Sequence, residues 1–250
     1  MKKLFYQLIA AITFFTRIPL GRLIRIPAES FTKIICFWPL TGWITGAVTA
    51  FSWLGFSMYF PSMLSIILAL VVRVLFTGGF HEDGLVDFFD GFGGGRTKPD
   101  ILRIMKDSQV GSYALIGMII YYLLMINALY SISDERLFFV LLIADPLSKL
   151  FTTVMMNFLP YARTESESKS KTLYDKLSAG RLMIACVSGL APLFLFHAQH
   201  LWISALLPLS LVLFMYFYVR KKIGGYTGDI CGATALLCEL VFFLGVCLLN

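Results

Sequence analysis

Three aspartates, Asp83, Asp87 and Asp90, lie at i, i+4 and i+7 in the polar segment from Thr77 to Gly111, so a helix there carries their carboxylates on one face. Three like charges on one face repel unless a cation sits among them. Hard oxygen donors suit Mg2+, Mn2+ or Ca2+ better than zinc, and Mg2+ commonly combines one or two carboxylates with phosphates of a substrate. A plain solvated acidic loop fits poorly with the apolar neighbours Phe80, Leu85, Val86, Phe88, Phe89 and Phe92. Glu82 falls on a different face, and His81 precedes the array. Gly91, Gly93, Gly94 and Gly95 follow, with Arg96 and Lys98 behind them. Glycines let a phosphate approach the backbone and the basic residues supply charge, although a flexible turn explains the glycines equally well. Pro99 and Asp100 mark a helix start that sets Arg103 and Lys106 at i, i+3, with Asp107 closing the polar set.

Three other polar positions have chemistry open to them. Asp145 and Lys149 stand at i, i+4 inside an apolar run. They form either a structural ion pair or a cavity in which Lys149 binds an anionic group. Arg163 follows Pro160-Tyr161-Ala162 at the end of that run, where snorkelling to the membrane face and contact with a phosphate are both open. Asp229 lies among Gly224, Gly225, Gly228 and Gly232, as a ligand, a general base or the cap of the last helix, and Glu239 follows deeper in. The low-complexity run TESESKSK after Arg163 reads as a solvated segment.

These groups need apolar elements to hold them, and the chain is made of little else. Of 250 residues, 58% are hydrophobic, 14% are charged and the mean hydropathy is +0.79. Soluble domains average roughly 45–50% apolar, so the expectation is an all-α, polytopic membrane bundle forming one unit over residues 1–250. Apolar runs at about 34–58, 63–80, 112–132, 137–158, 182–198, 201–219 and 233–249 give about seven spans. Residues 4–15 are too short to span, which suggests an interfacial or re-entrant helix stopped by Arg17 and Pro19. This N-terminal run has no small-residue cleavage site and is kept as part of the mature chain. With seven spans, eighteen of the 21 Lys and Arg fall on one side, Arg136 alone on the other, and Arg73 and Lys149 within spans. Cytoplasmic loops collect basic residues, so the long polar loops are expected to face the cytoplasm. The same asymmetry accounts for the net charge of +6 without nucleic acid, since no basic stripe alternates with aromatics. Cys36, Cys186, Cys231, Cys238 and Cys247 lie mostly in apolar runs without metal-ligand spacing and read as small buried residues.

The stretch Gly78-Gly79-Phe80-His81-Glu82-Asp83-Gly84-Leu85-Val86-Asp87, with Asp90-Gly91 and Ile104-Met105-Lys106-Asp107-Ser108, closely resembles the adenosylcobinamide-GDP ribazoletransferase (cobalamin 5′-phosphate synthase) family. Phe15-Thr16-Arg17-Ile18-Pro19, Trp38-Pro39-Leu40-Thr41-Gly42, Tyr161-Ala162-Arg163 and Gly224 to Asp229 with Gly232-Ala233 and Glu239 extend the likeness along the chain. The resemblance implies a Mg2+-dependent enzyme of the bacterial cytoplasmic (inner) membrane. In it, a hydroxyl of α-ribazole or its 5′-phosphate attacks the diphosphate of adenosylcobinamide-GDP and displaces GMP. Asp83, Asp87 and Asp90 are then the expected Mg2+ ligands. His81, Asp107 and Asp229 are the expected catalytic groups, and Arg17, Arg96, Arg103, Lys106, Lys149 and Arg163 the substrate contacts. Glu82 stands where the family has Leu, and Thr164 to Glu167 depart from an acidic residue followed by glycine. A homo-oligomer is left open. Two rivals are weaker: the D-G-x-x-A-R start of CDP-alcohol phosphotransferases is absent, and the carboxylates gather at one surface rather than at mid-span as in a cation transporter.

Overall fold

The computed structural model describes residues 2–163, 176–195 and 201–249. TESESKSK, with Glu165, and the connection His197 to His200 lie outside the described residues. In chain order the helices are α1 (Lys2–Phe15), α2 (Leu20–Leu23), α3 (Trp38–Ser57), α4 (Ser62–Thr77), α5 (Phe80–Gly94) and α6 (Lys98–Ile104). They continue with α7 (Ser112–Ser131), α8 (Asp134–Phe158), α9 (Ala179–Leu195), α10 (Leu201–Ser204), α11 (Leu206–Ile223) and α12 (Gly228–Cys247).

Every apolar segment expected to span is helical over its described residues, but not all of these helices are long enough. Five segments, Ile34–Ser57, α7, α8, Leu201–Ile223 and α12, have the length and hydropathy to cross a membrane. The 16 residues of α4 and 17 of α9 fall short of the ~20 that a hydrocarbon core needs. Helix α4 qualifies only together with α5, from which it is bent by 94°. Among the described residues the helices long and apolar enough to cross a membrane thus number five, or six if that bent pair is one span, against an expectation of about seven. The reason is local: Gly78 and Gly79 both adopt left-handed backbone, with φ of 74° and 69°, and turn the chain where the apolar run had suggested continuity.

The bundle is layered by burial. The apolar windows of α8 and α12 are each 78% buried, whereas those of α7 and α11 are 28% buried, so α8 and α12 form the interior and α7 and α11 the rim. Helix α3 reaches α8 through small residues. A Cβ on Gly42 would come within 2.7 Å of the Pro146 backbone, and one on Gly46 within 3.0 Å of the Leu141 carbonyl.

Buried charges inside this bundle are paired. Lys149 Nζ lies 2.8 Å from Asp145 and donates to Thr45 Oγ1 at 2.8 Å, while the Thr45 hydroxyl also donates to Asp145. Lys149 is 3% exposed. Of the two readings open for it, this is the geometry of a structural ion pair: an isolated cation costs several kcal/mol at this depth, and Asp145 and Thr45 take two of its three donors. Arg73 on α4 pairs with Glu239 on α12 at 2.5 Å. Replacing Lys149 by Met should strand Asp145 and cost about 3–5 kcal/mol, and the double change Asp145→Leu with Lys149→Met should recover most of it. Thermal unfolding of the purified protein in detergent checks this order of stabilities.

Candidate functional site

Helix α5 is the element that carries the carboxylates, and its seat is made of glycines and aromatic rings. A Cβ on Gly84 would come 2.7 Å from the Asp229 carbonyl, and one on Gly232 would come 3.1 Å from that of His81. The two backbones therefore meet directly, with α5 antiparallel to the first turns of α12. His81 is 3% exposed and stacks on Trp38 with ring centroids 5.7 Å apart and planes 9° apart; Trp38 in turn stacks on Phe15 at 5.2 Å. His81 Nε2 and Trp38 Nε1 are buried without hydrogen-bond partners. His81, expected to be catalytic, lies buried at the foot of α5 among these rings.

The helical face expected for Asp83, Asp87 and Asp90 is present, since all three lie on α5, but its members are used differently. Asp83 is exposed and Asp87 half-buried. Asp90 is buried and anchors the start of α7: its carboxylate accepts the backbone N–H groups of Gly111 at 2.5 Å and Ala114 at 2.8 Å. The neighbour that Asp87 gains instead is Asp229. Burial, followed by the charges of Asp229 and Asp83, pushes the Asp87 carboxyl up to about 7. Glu82 turns to another face, where Arg73, Tyr121 and Tyr122 feel its charge.

Asp229 is held by a clasp of two loops. Gly224 ends α11 with φ 80°, and a Cβ on Gly225 would collide with the Pro160 carbonyl. Across this contact Tyr226 N donates to Pro160 O at 3.0 Å and Ala162 N donates to Tyr226 O at 2.8 Å. The clasp delivers Arg163, whose Nη2 lies 2.9 Å from Asp229 Oδ2. Thr227 caps α12 by accepting from Ile230 N at 3.3 Å, so of the three roles open to Asp229 the cap falls away. No local signal marks the contact between Tyr161 and Tyr226, because their pairing spans more than 60 residues.

Helix α6 closes the other side. Thr97 and Asp100 form a capping box, and the bonds from Thr97 hold the Asp100 carboxyl below the usual range. The helix presents Lys98, Pro99, Leu102 and Arg103, which with Lys106 just beyond its end and Arg163 line a cavity of about 420 Å3. Four of the expected substrate contacts separate here: Arg103, Lys106 and Arg163 share the cavity, whereas Arg96 is exposed between α5 and α6. Arg17 lies over Gly78 at the opposite end of α5, with its backbone N–H on Phe76 O at 2.8 Å. Asp107, expected to be catalytic, is exposed and accepts Gln109 N at 3.0 Å within its own turn.

Among the described residues no group of three His, Cys, Asp or Glu is assembled as a metal cage. The donor chemistry nevertheless suits a hard divalent cation: Asp83, Asp87 and Asp229 offer only carboxylate oxygens, and their crowding raises Asp87. An acidic face and a basic cavity meet at the Arg163–Asp229 pair, the arrangement expected for binding a cation together with a phosphate.

The fold and site define a polytopic helical membrane protein with a charged site where loops and helix ends converge. The profile of the cobalamin-5-phosphate synthase family matches residues 7–247, and the chain belongs to that family. It is 38% identical over 243 residues to an adenosylcobinamide-GDP ribazoletransferase of Leptospira interrogans, covering 93% of this chain and 91% of the relative. A protein of the same name from Shewanella sp. (strain W3-18-1) is 36% identical over 250 residues, covering 94% and 91%. No solved structure matches the chain.

Because α5 and α12 touch backbone to backbone, Gly84→Ala should displace the acidic face without removing any charge. A shift near 1 Å lowers turnover by about 100-fold. Kinetic assay of the variant, alongside its unfolding temperature, checks whether activity falls while the fold persists.

Proposed function

We propose that this protein joins ribazole to adenosylcobinamide-GDP, the final assembly step of cobalamin synthesis, with release of GMP. Family membership supports the reaction. The single structural observation that supports the site is the meeting of the acidic face and the basic cavity at Arg163 and Asp229. Displacement at a diphosphate asks little covalent work of a protein and much positioning and charge neutralisation. Lys98, Arg103, Lys106 and Arg163 bind and orient the phosphates of the GDP moiety, and Leu102 and Pro99 give the cavity an apolar wall. Asp83, Asp87 and Asp229 hold Mg2+, which supplies positive charge to the diphosphate when bound. Asp90 keeps α5 in register with α7, and His81 acts through its packing rather than on the substrate.

The concentration of Lys and Arg in the polar loops supports a site on the cytoplasmic side of a bacterial inner membrane.

Purified protein incubated with adenosylcobinamide-GDP, α-ribazole and Mg2+ should release GMP, and chelation should stop the release. Asp87→Asn should lower the rate by more than about 100-fold, the scale of losing one electrostatic contact to the transition state. Absence of GMP with every divalent metal tried would sink the assignment, and a near-normal Asp87→Asn rate would remove the cation from this face.

A further inference from the structure

Among the described residues, Arg163 is the cation that both pairs with Asp229 and lines the basic cavity. Its Nη2 is bound to Asp229 at 2.9 Å, its Nε–H is buried without a hydrogen-bond partner, and the side chain also lines the basic cavity with Lys98, Arg103 and Lys106. The pair is largely sheltered, with side-chain exposures of 14% for Arg163 and 24% for Asp229. Asp229 in turn shares its surroundings with Asp83 and Asp87, whose charges act on one another. A guanidinium carries five donors in a planar fork, and here one is committed to a carboxylate while another is left unspent at that depth. The clasp of Pro160 to Ala162 against Tyr226 holds the backbone leading into Arg163 and into Asp229, so exchange of partners needs only side-chain rotation.

We propose that Arg163 is a built-in competitor for the cation place at Asp229. In the ligand-free protein it neutralises Asp229; when a divalent cation binds the acidic face, Asp229 turns to the cation and Arg163 is released into the cavity, where its fork binds a phosphate. No covalent bond changes in this exchange. Its consequence is ordered and cooperative binding: the cation frees the arginine that the diphosphate needs, and the diphosphate removes the arginine that opposes the cation. Linkage makes the two effects equal in size. An enzyme so built is guarded against holding a divalent cation without its nucleotide substrate. The inference rests on the assignment of the acidic face as a cation site.

The test uses the full chain in detergent, with Mn2+ as the cation and GDP as the phosphate probe, and reads binding by calorimetry rather than turnover. Wild-type protein should bind Mn2+ more tightly with GDP present, and GDP more tightly with Mn2+, by the same factor. Arg163→Gln should bind Mn2+ alone about 5-fold or more tighter than wild type, because the competitor is gone, while GDP binding weakens and coupling shrinks to the direct cation–diphosphate contact. Arg163→Lys, which keeps the charge, should stay near the wild-type Mn2+ affinity. An arginine that merely supports the fold would weaken both ligands in Arg163→Gln, and that result, or unchanged Mn2+ affinity, overturns the exchange. Should Arg163→Gln not fold, absence of coupling in the wild type overturns it alone. Asp87→Asn separates the two levels: unchanged Mn2+ affinity there overturns the cation site and the exchange together, whereas weakened affinity with no tightening in Arg163→Gln overturns only the exchange.

Discussion

The structure depends on the direct contact of α5 with α12. Gly84 lies against the Asp229 backbone and Gly232 against that of His81, so the two helices approach as closely as their main chains allow. This contact brings the polar helix α5 into an apolar bundle and sets its carboxylates beside the start of α12. The double glycine turn at Gly78 and Gly79 bends α5 away from α4, and the stack of Phe15, Trp38 and His81 fixes its base. Any side chain at Gly84 must part the helices before it can be accommodated.

Within the bundle, charge is tolerated where it is matched. Arg73 with Glu239 ties α4 to α12, and Asp145 with Lys149 and Thr45 ties α8 to α3. Such pairs contribute little net stability over apolar packing, yet a lone member is costly, so they penalise any arrangement that separates the partners. They act as register marks between helices whose apolar surfaces would otherwise slide. The lysine that the sequence offered as a substrate contact belongs to this framework.

At the site the same matching is looser. Arg163 and Asp229 are less deeply buried than those pairs and lie beside other charges; Arg163 sits on a loop, held with the turn before α12 by two backbone hydrogen bonds, and Asp229 on the first turn of α12. The deep pairs are fixed by burial, whereas this one has neighbours of both signs with which to exchange. Position relative to the apolar layer separates charges that hold the fold from charges able to handle a ligand.

The sequence by itself determined the helical class, the apolar segments and the single polar stretch with its aspartates at helical spacing, because periodicity and composition are local properties. It also exposed the i, i+4 pairing of Asp145 with Lys149 and the start of α6 near Pro99. Which of Asp83, Asp87 and Asp90 faces the site was not legible, since Asp90 is claimed by the amides of Gly111 and Ala114, more than 20 residues away. Nor was the burial of His81, which depends on rings from α1 and the start of α3. Only the tertiary structure decided that Asp229 joins Asp87, that Arg163 reaches both, and that α4 stops short of a full span. Each of these follows from helices meeting across distant parts of the chain, where close approach at glycine and the cost of unpaired charge select one partner among several.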